Sequence, residues 1–126
     1  MTDYNAAIQR FHDAGLSVLG EGVHRIVFDR GDGMAIKVPK TFQGEVRNKT
    51  EVRRSTVGTR MYVPCACVIV AMHGIDVLFM EKLQPINRDC PPTDLPPWAI
   101  TYAFGKVGYS TGGALYAYSY ADGRHI

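Results

Sequence analysis

The stretch GDGMAIKVPK, Gly31 to Lys40, decides the fold. A glycine-rich turn is followed here by an apolar run that carries one lysine at its centre. Because side chains alternate along a β-strand, the run predicts two faces, with Met34, Ile36 and Val38 on one and Ala35 and Lys37 on the other. A lysine in this position either extends into water or is held as a cation for a phosphate.

Composition and charge predict a single globular domain over 1–126. The chain has 126 residues, of which 46% are hydrophobic and 21% charged, and this profile is typical of a folded domain with one modest core. The net charge of +2 does not indicate a nucleic-acid-binding protein, because such proteins concentrate Lys and Arg more strongly. No apolar run is long enough to span a membrane and no signal peptide follows Met1, so we expect a cytoplasmic protein.

The cysteines give no metal-binding pattern. There are three, Cys65, Cys67 and Cys90, and no second Cys-x-x-Cys or pair of histidines accompanies them. Zinc sites need four such ligands at characteristic spacing. We therefore expect buried free thiols and no metal.

Hydrophobic periodicity and turn residues divide the chain into helices and strands. The predicted elements are a helix over 3–14, strands over 16–19, 23–29 and 33–38, a helix over 44–56, strands over 62–72 and 75–83, and two aromatic-rich strands within 98–126. The segment 84–97 is expected to be a linker, because its five prolines forbid a continuous helix or central strand. The order predicts an α+β domain with an antiparallel five-stranded sheet, an N-terminal helix within 1–15 and a C-terminal β-hairpin.

Four features follow one another over Leu19–Leu83. Gly20-Glu21-Gly22 is predicted to join two strands, Lys37 lies on the next strand, and Glu51 lies on the following helix. The strand VLFMEKL, 77–83, then leads into an open segment. A glycine turn allows backbone N–H groups to approach phosphates, and a carboxylate can hold a lysine head group. Together these motifs resemble the small N-terminal lobe of the protein kinase fold.

The resemblance implies a nucleotide site and a fold for 16–83. The implied site residues are Gly20, Gly22, Lys37, Glu51, Met80, Glu81 and Leu83. In the family, the glycine-rich loop covers the phosphates, the lysine binds them and the glutamate holds the lysine. Met80 would be the gatekeeper, and the backbones of Glu81 and Leu83 would face adenine.

Departures from the family pattern remove what catalysis needs. Arg25 stands where the third glycine of the loop is expected, and only 43 residues follow Leu83, too few for the lobe that carries the catalytic and metal-binding aspartates. The motif NRDCPPTD, 87–94, imitates the catalytic loop, but its prolines leave no helix to position it. The final hairpin resembles that of small phage-encoded kinase-like proteins, with Ser119 replacing the aspartate that binds Mg²⁺. We expect no catalysis, no metal and no cofactor, with ATP the one ligand left open.

The C-terminal hairpin is rich in aromatic side chains. They are Tyr102, Phe104, Tyr109, Tyr116, Tyr118 and Tyr120. Either they form a core face with ordinary cross-strand pairs, or they form an exposed surface on which tyrosines anchor a protein partner. The second alternative makes the hairpin the predicted protein-binding site.

Three functions from different classes follow. The first is a non-catalytic, pseudokinase-like protein of phage or mobile-element origin that docks on a host protein and inhibits it, such as a CRISPR effector or another defence component; this step is an analogy. The second is an ATP-dependent phosphotransferase that a partner subunit completes. The third is a nucleic-acid-binding protein that uses the basic residues Arg47, Lys49, Arg53, Arg54 and Arg60 with aromatic stacking. The open sheet face near Met80 favours burial against a second copy or another protein.

Overall fold

The structure is a computed structural model that describes residues 2–57, 65–86, 93–101 and 107–117. Its elements in chain order are α1 (Tyr4–Asp13), β1 (Ser17–Glu21), β2 (Arg25–Asp29), β3 (Met34–Pro39), α2 (Phe42–Val57), β4 (Cys67–Met72), β5 (Ile75–Glu81), β6 (Gln84–Pro85), α3 (Pro97–Thr101), β7 (Val107–Tyr109) and β8 (Leu115–Ala117).

The main sheet is antiparallel and has five strands in the order β1-β2-β3-β5-β4. A smaller sheet, β6-β7-β8, contains the C-terminal hairpin. The prediction of an α+β fold with a five-stranded antiparallel sheet, an N-terminal helix and a C-terminal hairpin is therefore confirmed.

Strand alternation gives the main sheet the two faces that the sequence predicts, and both faces are buried. On one face, Ile36 and Val38 join a cluster that includes Phe28 and packs against Phe11 of α1. On the other face, Ala35 belongs to a cluster with partners from β2 and β5 that packs against Val52 of α2. The two helices thus cover opposite faces of one sheet, and Lys37 lies on the face that α2 covers.

Tight turns connect neighbouring strands where the sequence places glycine. Gly31 and Gly33 have φ of 92° and 87° in the β2–β3 turn, which favours glycine because a Cβ is unfavourable there. His73 and Gly74 form the β4–β5 turn with φ of 54° and 81°. Both turns lie where the sequence predicts them.

The strands predicted over 62–72 and 75–83 are shorter than expected. Strand β4 begins at Cys67, which pairs with Met80, and β5 ends at Glu81. Beyond that point the backbone N–H of Lys82 donates to the Gly33 carbonyl oxygen at 2.8 Å. The end of β5 therefore bonds to the β2–β3 turn. Residues 58–64 lie outside the described residues.

One prediction for the C-terminal third is wrong. The segment that begins at Trp98 was expected to be a strand, but Pro97–Thr101 is helical. Proline is favoured at the first helical position, because its fixed φ suits a helix and its missing N–H would have no partner there. The expected linker also contains β6, which pairs with β7 from one side only, a position that a proline tolerates.

Candidate functional site

Lys37 points into the protein from the middle of β3. Its strand lies between β2 and β5, where Val27 and Leu78 are its direct partners. The face that Lys37 shares with Ala35 is covered by α2, and the lysine is only 1% exposed. Its ammonium group therefore cannot reach bulk water and needs partners inside the protein.

Helix α2 supplies those partners because its start is held tightly against the sheet. The Thr41 hydroxyl accepts a bond from the Gly44 N–H at 3.2 Å, and it also bonds to the His24 ring at 2.9 Å. A Cβ on Gly44 would overlap the His24 carbonyl oxygen, so only glycine allows this approach. On the same side of the helix, Asn48 and Glu51 lie one and two turns further along and face the sheet.

Glu51 binds two cations at once. The Lys37 Nζ donates to both carboxylate oxygens, at 3.1 Å to Oε1 and 3.0 Å to Oε2. The Arg25 Nη2 donates to Oε1 at 2.8 Å. Arg25 is also 1% exposed, so a carboxylate from α2 joins two buried cations from neighbouring strands.

Asn48 completes what we call the charge cluster, which comprises Arg25, Lys37, Asn48 and Glu51. Its Oδ1 accepts a bond from the Arg25 Nη1 at 3.1 Å. Its Nδ2 donates to the backbone oxygens of Lys37 and Asp76, at 3.2 Å and 3.3 Å. The β3–β5 ladder ends at the pair Lys37 and Leu78, so the amide supplies a donor to the two strands where their own pairing stops.

The cluster changes the acidity of its members. Burial opposes ionisation of Glu51, but the Lys37 and Arg25 charges outweigh it and lower the pKa of the carboxyl to about 2. Burial lowers the pKa of Lys37, and the positive charge of Arg25 adds to this, although Glu51 opposes both. Glu51 therefore stays ionised at neutral pH, whereas the site of Lys37 disfavours its charge.

The sequence predicts the pairing of Lys37 and Glu51 through the family resemblance, and the structure brings the two together. The sequence does not predict a role for Asn48, and it identifies Arg25 only as the residue that replaces the third glycine of the loop. Both had a signal: strand alternation places Arg25 on the face of Val27, and helical spacing places Asn48 beside Glu51. What the pattern could not give is the depth to which these polar side chains are buried.

The glycine turn begins two residues later than predicted. Gly20 and Glu21 belong to β1, with a β-bulge between Val18 and Gly20. The turn proper begins at Gly22, whose N–H donates to the Arg25 carbonyl oxygen at 2.9 Å. The Nζ of Lys40 donates to the Gly22 oxygen at 3.0 Å and to Glu21 at 2.6 Å. Lys40, which directly follows β3, thus holds the glycine turn close to the end of that strand.

The predicted gatekeeper, Met80, and the two residues predicted to face adenine, Glu81 and Leu83, lie at or just beyond the end of β5. Met80 and Leu83 are buried in the cluster that also contains Val27 and Ala35, and Tyr116 of β8 packs against this cluster. Glu81 is the last residue of β5. Its Oε1 accepts bonds from the N–H and the hydroxyl of Thr111, at 2.9 Å and 3.0 Å. The C-terminal hairpin is therefore attached to the main sheet at the predicted hinge.

Of the aromatic residues predicted to bind a partner, the structure describes Tyr109 and Tyr116. Both are half-buried, and each packs against a core cluster. This packing favours the core alternative for these two. The other four, Tyr102, Phe104, Tyr118 and Tyr120, lie outside the described residues.

Two cysteines are described, and both are half-buried free thiols. Burial raises the pKa of Cys65 to about 11 and also raises the pKa of Cys67. Cys67 lies 3.6 Å from the Ser55 hydroxyl. Cys90 and the motif NRDCPPTD, apart from its last two residues, lie outside the described residues.

Comparisons of the chain with family models, with curated proteins and with solved structures find no match. The likeness to a protein kinase small lobe therefore stays a prediction that depends on the motifs and on the geometry above. Among the described ranges, no helix is both long and apolar enough to cross a membrane. The cytoplasmic location likewise stays a prediction.

Proposed function

We propose that this chain is a non-catalytic, kinase-like module that binds another protein, and that its nucleotide-site residues have a structural role. The observation that carries the proposal is the position of the Arg25 guanidinium. It stands where the family pattern expects a third glycine, and it bonds to the same carboxylate as Lys37. Lys37, which would bind a phosphate in the family, thus shares its counter-ion with Arg25, whose charge is permanent.

Access to the lysine is the first reason against nucleotide binding. A phosphate ligand must contact the ammonium group, but Lys37 is buried and its Nζ donates to both carboxylate oxygens of Glu51. Arg25 is equally buried and cannot lose its proton. A phosphate could reach either cation only if α2 or the glycine turn moved away, and the bonds from Lys40 to Gly22 and between Thr41 and His24 oppose that movement.

The predicted adenine face supplies the second reason. In the family, the face formed by the gatekeeper and its neighbours receives the base. Here Leu83 and Tyr116 pack on the corresponding cluster of Val27, Ala35 and Met80. Both halves of the implied nucleotide site are thus occupied by side chains of the chain itself, and a pocket has to be concave to bury a ligand.

The kinase-like part of the proposal is supported by one relation between elements. A lysine on the third strand pairs with a glutamate on the helix that follows it, at 3.0 Å, and the family uses the same pair. This pair is also what favours the alternative, an ATP-dependent phosphotransferase completed by a partner. A host protein from a defence system remains the partner suggested by analogy with small phage proteins.

Thermal melting with Mg-ATP tests the proposal against this alternative. A ligand present at one hundred times its Kd stabilises a protein by about 2.7 kcal/mol, which is easily seen in the melting temperature. We expect no change for wild type or for Lys37→Met. A magnesium-dependent rise in wild type that is lost in Lys37→Met and kept in Lys82→Met, a surface control, would overturn the proposal and favour the phosphotransferase.

A further inference from the structure

Exposed apolar side chains gather where the glycine turn meets the start of α2. Val23 is 78% exposed, Phe42 68% and Val46 39%. A single exposed apolar residue is ordinary, but a contiguous group indicates an interaction surface. The other large exposed apolar side chains of the described residues, Val18 and Val68, lie on β1 and β4.

The bonds around His24 place these residues next to one another. The His24 ring bonds to the Thr41 hydroxyl at 2.9 Å, and its carbonyl oxygen accepts from the Lys40 N–H at 2.7 Å. Val23 precedes His24 and Phe42 follows Thr41, so they flank a direct contact. Val46 lies one helical turn after Phe42 on the same side of α2.

Two basic residues lie further along the same side of α2. Lys49 and Arg53 follow Phe42 at seven and eleven residues, which is helical spacing, and both are exposed. We call Phe42, Val46, Lys49 and Arg53 the α2 ridge. It lies opposite the inward side that carries the charge cluster, and it extends for about 16 Å at the helical rise of about 1.5 Å per residue.

The cations of the ridge have no internal role in the described part of the chain. The salt bridges there engage Arg25, Arg30, Lys37, Lys40 and Lys82. Neither Lys49 nor Arg53 contacts a carboxylate of the described residues. Glu45, one helical turn before Lys49, interacts with Tyr4 of α1, and Glu51 is turned inward and shared by two cations.

We propose that the α2 ridge docks an acidic segment of a protein partner, with an apolar side chain against Phe42 and Val46 and carboxylates against Lys49 and Arg53. This inference rests on the proposed function and names the partner's chemistry. Charge complementarity favours an acidic segment, and the exposed phenylalanine favours a protein over a nucleic acid. Arg47 and Arg54 also lie on the flank of α2 rather than on the ridge, so the four cations do not form the single strip that a phosphate backbone follows.

Selection from a random dodecapeptide display library on the immobilised wild-type chain tests the ridge. We expect the enriched peptides to combine an apolar or aromatic residue with at least two Asp or Glu residues. Lys49→Glu with Arg53→Glu should weaken their binding by at least about tenfold, and so should Phe42→Ser. Arg10→Glu with Arg47→Glu makes the same charge change off the ridge and should alter binding by less than about threefold. Circular dichroism confirms that each variant is folded.

Three outcomes overturn the inference. They are an absence of enrichment, enriched peptides whose binding is insensitive to the ridge variants, and a double-stranded DNA oligonucleotide that binds more tightly than any peptide and loses affinity equally in both charge-reversal variants. None of them bears on Mg-ATP. If the peptide test fails and the chain does not bind Mg-ATP, the chain is still a non-catalytic module, and its docking surface lies elsewhere. Binding of Mg-ATP, in contrast, refutes the proposed function whatever the peptides show.

Discussion

Glu51→Gln tests the charge cluster most directly. The substitution keeps the shape of the side chain and removes its charge, so Lys37 and Arg25, each 1% exposed, lose their shared anion. Removing one partner of a buried ion pair costs about 3–5 kcal/mol, because an uncompensated charge stays in the core. We expect the free energy of unfolding, measured by urea denaturation at pH 7, to fall by about that amount.

The pKa of Glu51 adds a pH dependence to this prediction. The carboxyl has a pKa of about 2 in the folded protein, against an ordinary value of 4.5. Each pH unit of that gap corresponds to about 1.4 kcal/mol, so the charge contributes about 3 kcal/mol of stability. Because the folded-state pKa is the lower one, this contribution is complete above the ordinary value and is lost as the pH falls towards 2. The difference between wild type and Glu51→Gln should shrink over the same range.

Two control variants show whether burial and charge cause the effect. Lys37→Met keeps an apolar stem and leaves Arg25 and Glu51 as a neutral pair, so we expect a loss below about 1 kcal/mol or a gain. Glu21→Gln breaks an exposed ion pair, in which the Lys40 Nζ lies 2.6 Å from the Glu21 carboxylate. This substitution should lower the free energy of unfolding by no more than about 1 kcal/mol. Equal losses in Glu51→Gln and Glu21→Gln, or a loss in Glu51→Gln that persists undiminished near pH 2, would refute the reasoning.

Three further predictions concern packing and access. Gly44→Ala should lower the melting temperature clearly, because its Cβ would overlap the His24 carbonyl oxygen. The control Gly112→Ala makes only an ordinary contact at 3.7 Å and should change the melting temperature little. Similar melting temperatures for the two variants would contradict the close approach of Gly44 to the sheet. Asn48→Leu should cost about 2–3 kcal/mol in urea denaturation, because two strand carbonyl oxygens lose their donor; a loss below about 0.5 kcal/mol would show that the amide is dispensable. Cys65, with a pKa of about 11, should react with iodoacetamide at pH 8 roughly a hundred times more slowly than an unfolded control, followed by mass spectrometry; equal rates would show that the thiol is not buried.

The sequence predicts those parts of the fold that depend on local periodicity. The alternation in GDGMAIKVPK assigns Ile36 and Lys37 to opposite faces, and the structure agrees. The five-stranded sheet and the helix that carries Glu51 follow from similar patterns and from turn residues. The pairing of Lys37 with Glu51 is predicted through the family resemblance, because the two are distant in sequence and no local rule joins them.

What the sequence does not predict depends on tertiary contacts. Burial of Arg25 and Asn48 requires that the turn, the sheet and α2 meet, and a polar residue on an amphipathic element is more often exposed. The bond from Lys82 at the end of β5 to the β2–β3 turn is a long-range contact that local periodicity does not predict. At Trp98 the local signals disagree, and the preference of proline for the first position of a helix outweighs the strand preference of the aromatic residues that follow.

The charge cluster also constrains how this sequence can change over evolutionary time. Arg25, Asn48 and Glu51 come from two separate elements and satisfy one another, so a single substitution at any of them leaves a charge or a carbonyl oxygen stranded in the core. Joint replacement of the three charged members, Arg25, Lys37 and Glu51, by apolar side chains can be neutral or stabilising. Natural variation at these positions should therefore be all-or-none, with joint replacement tolerated and intermediates removed by selection for stability. We therefore expect such a set to be inherited as a unit.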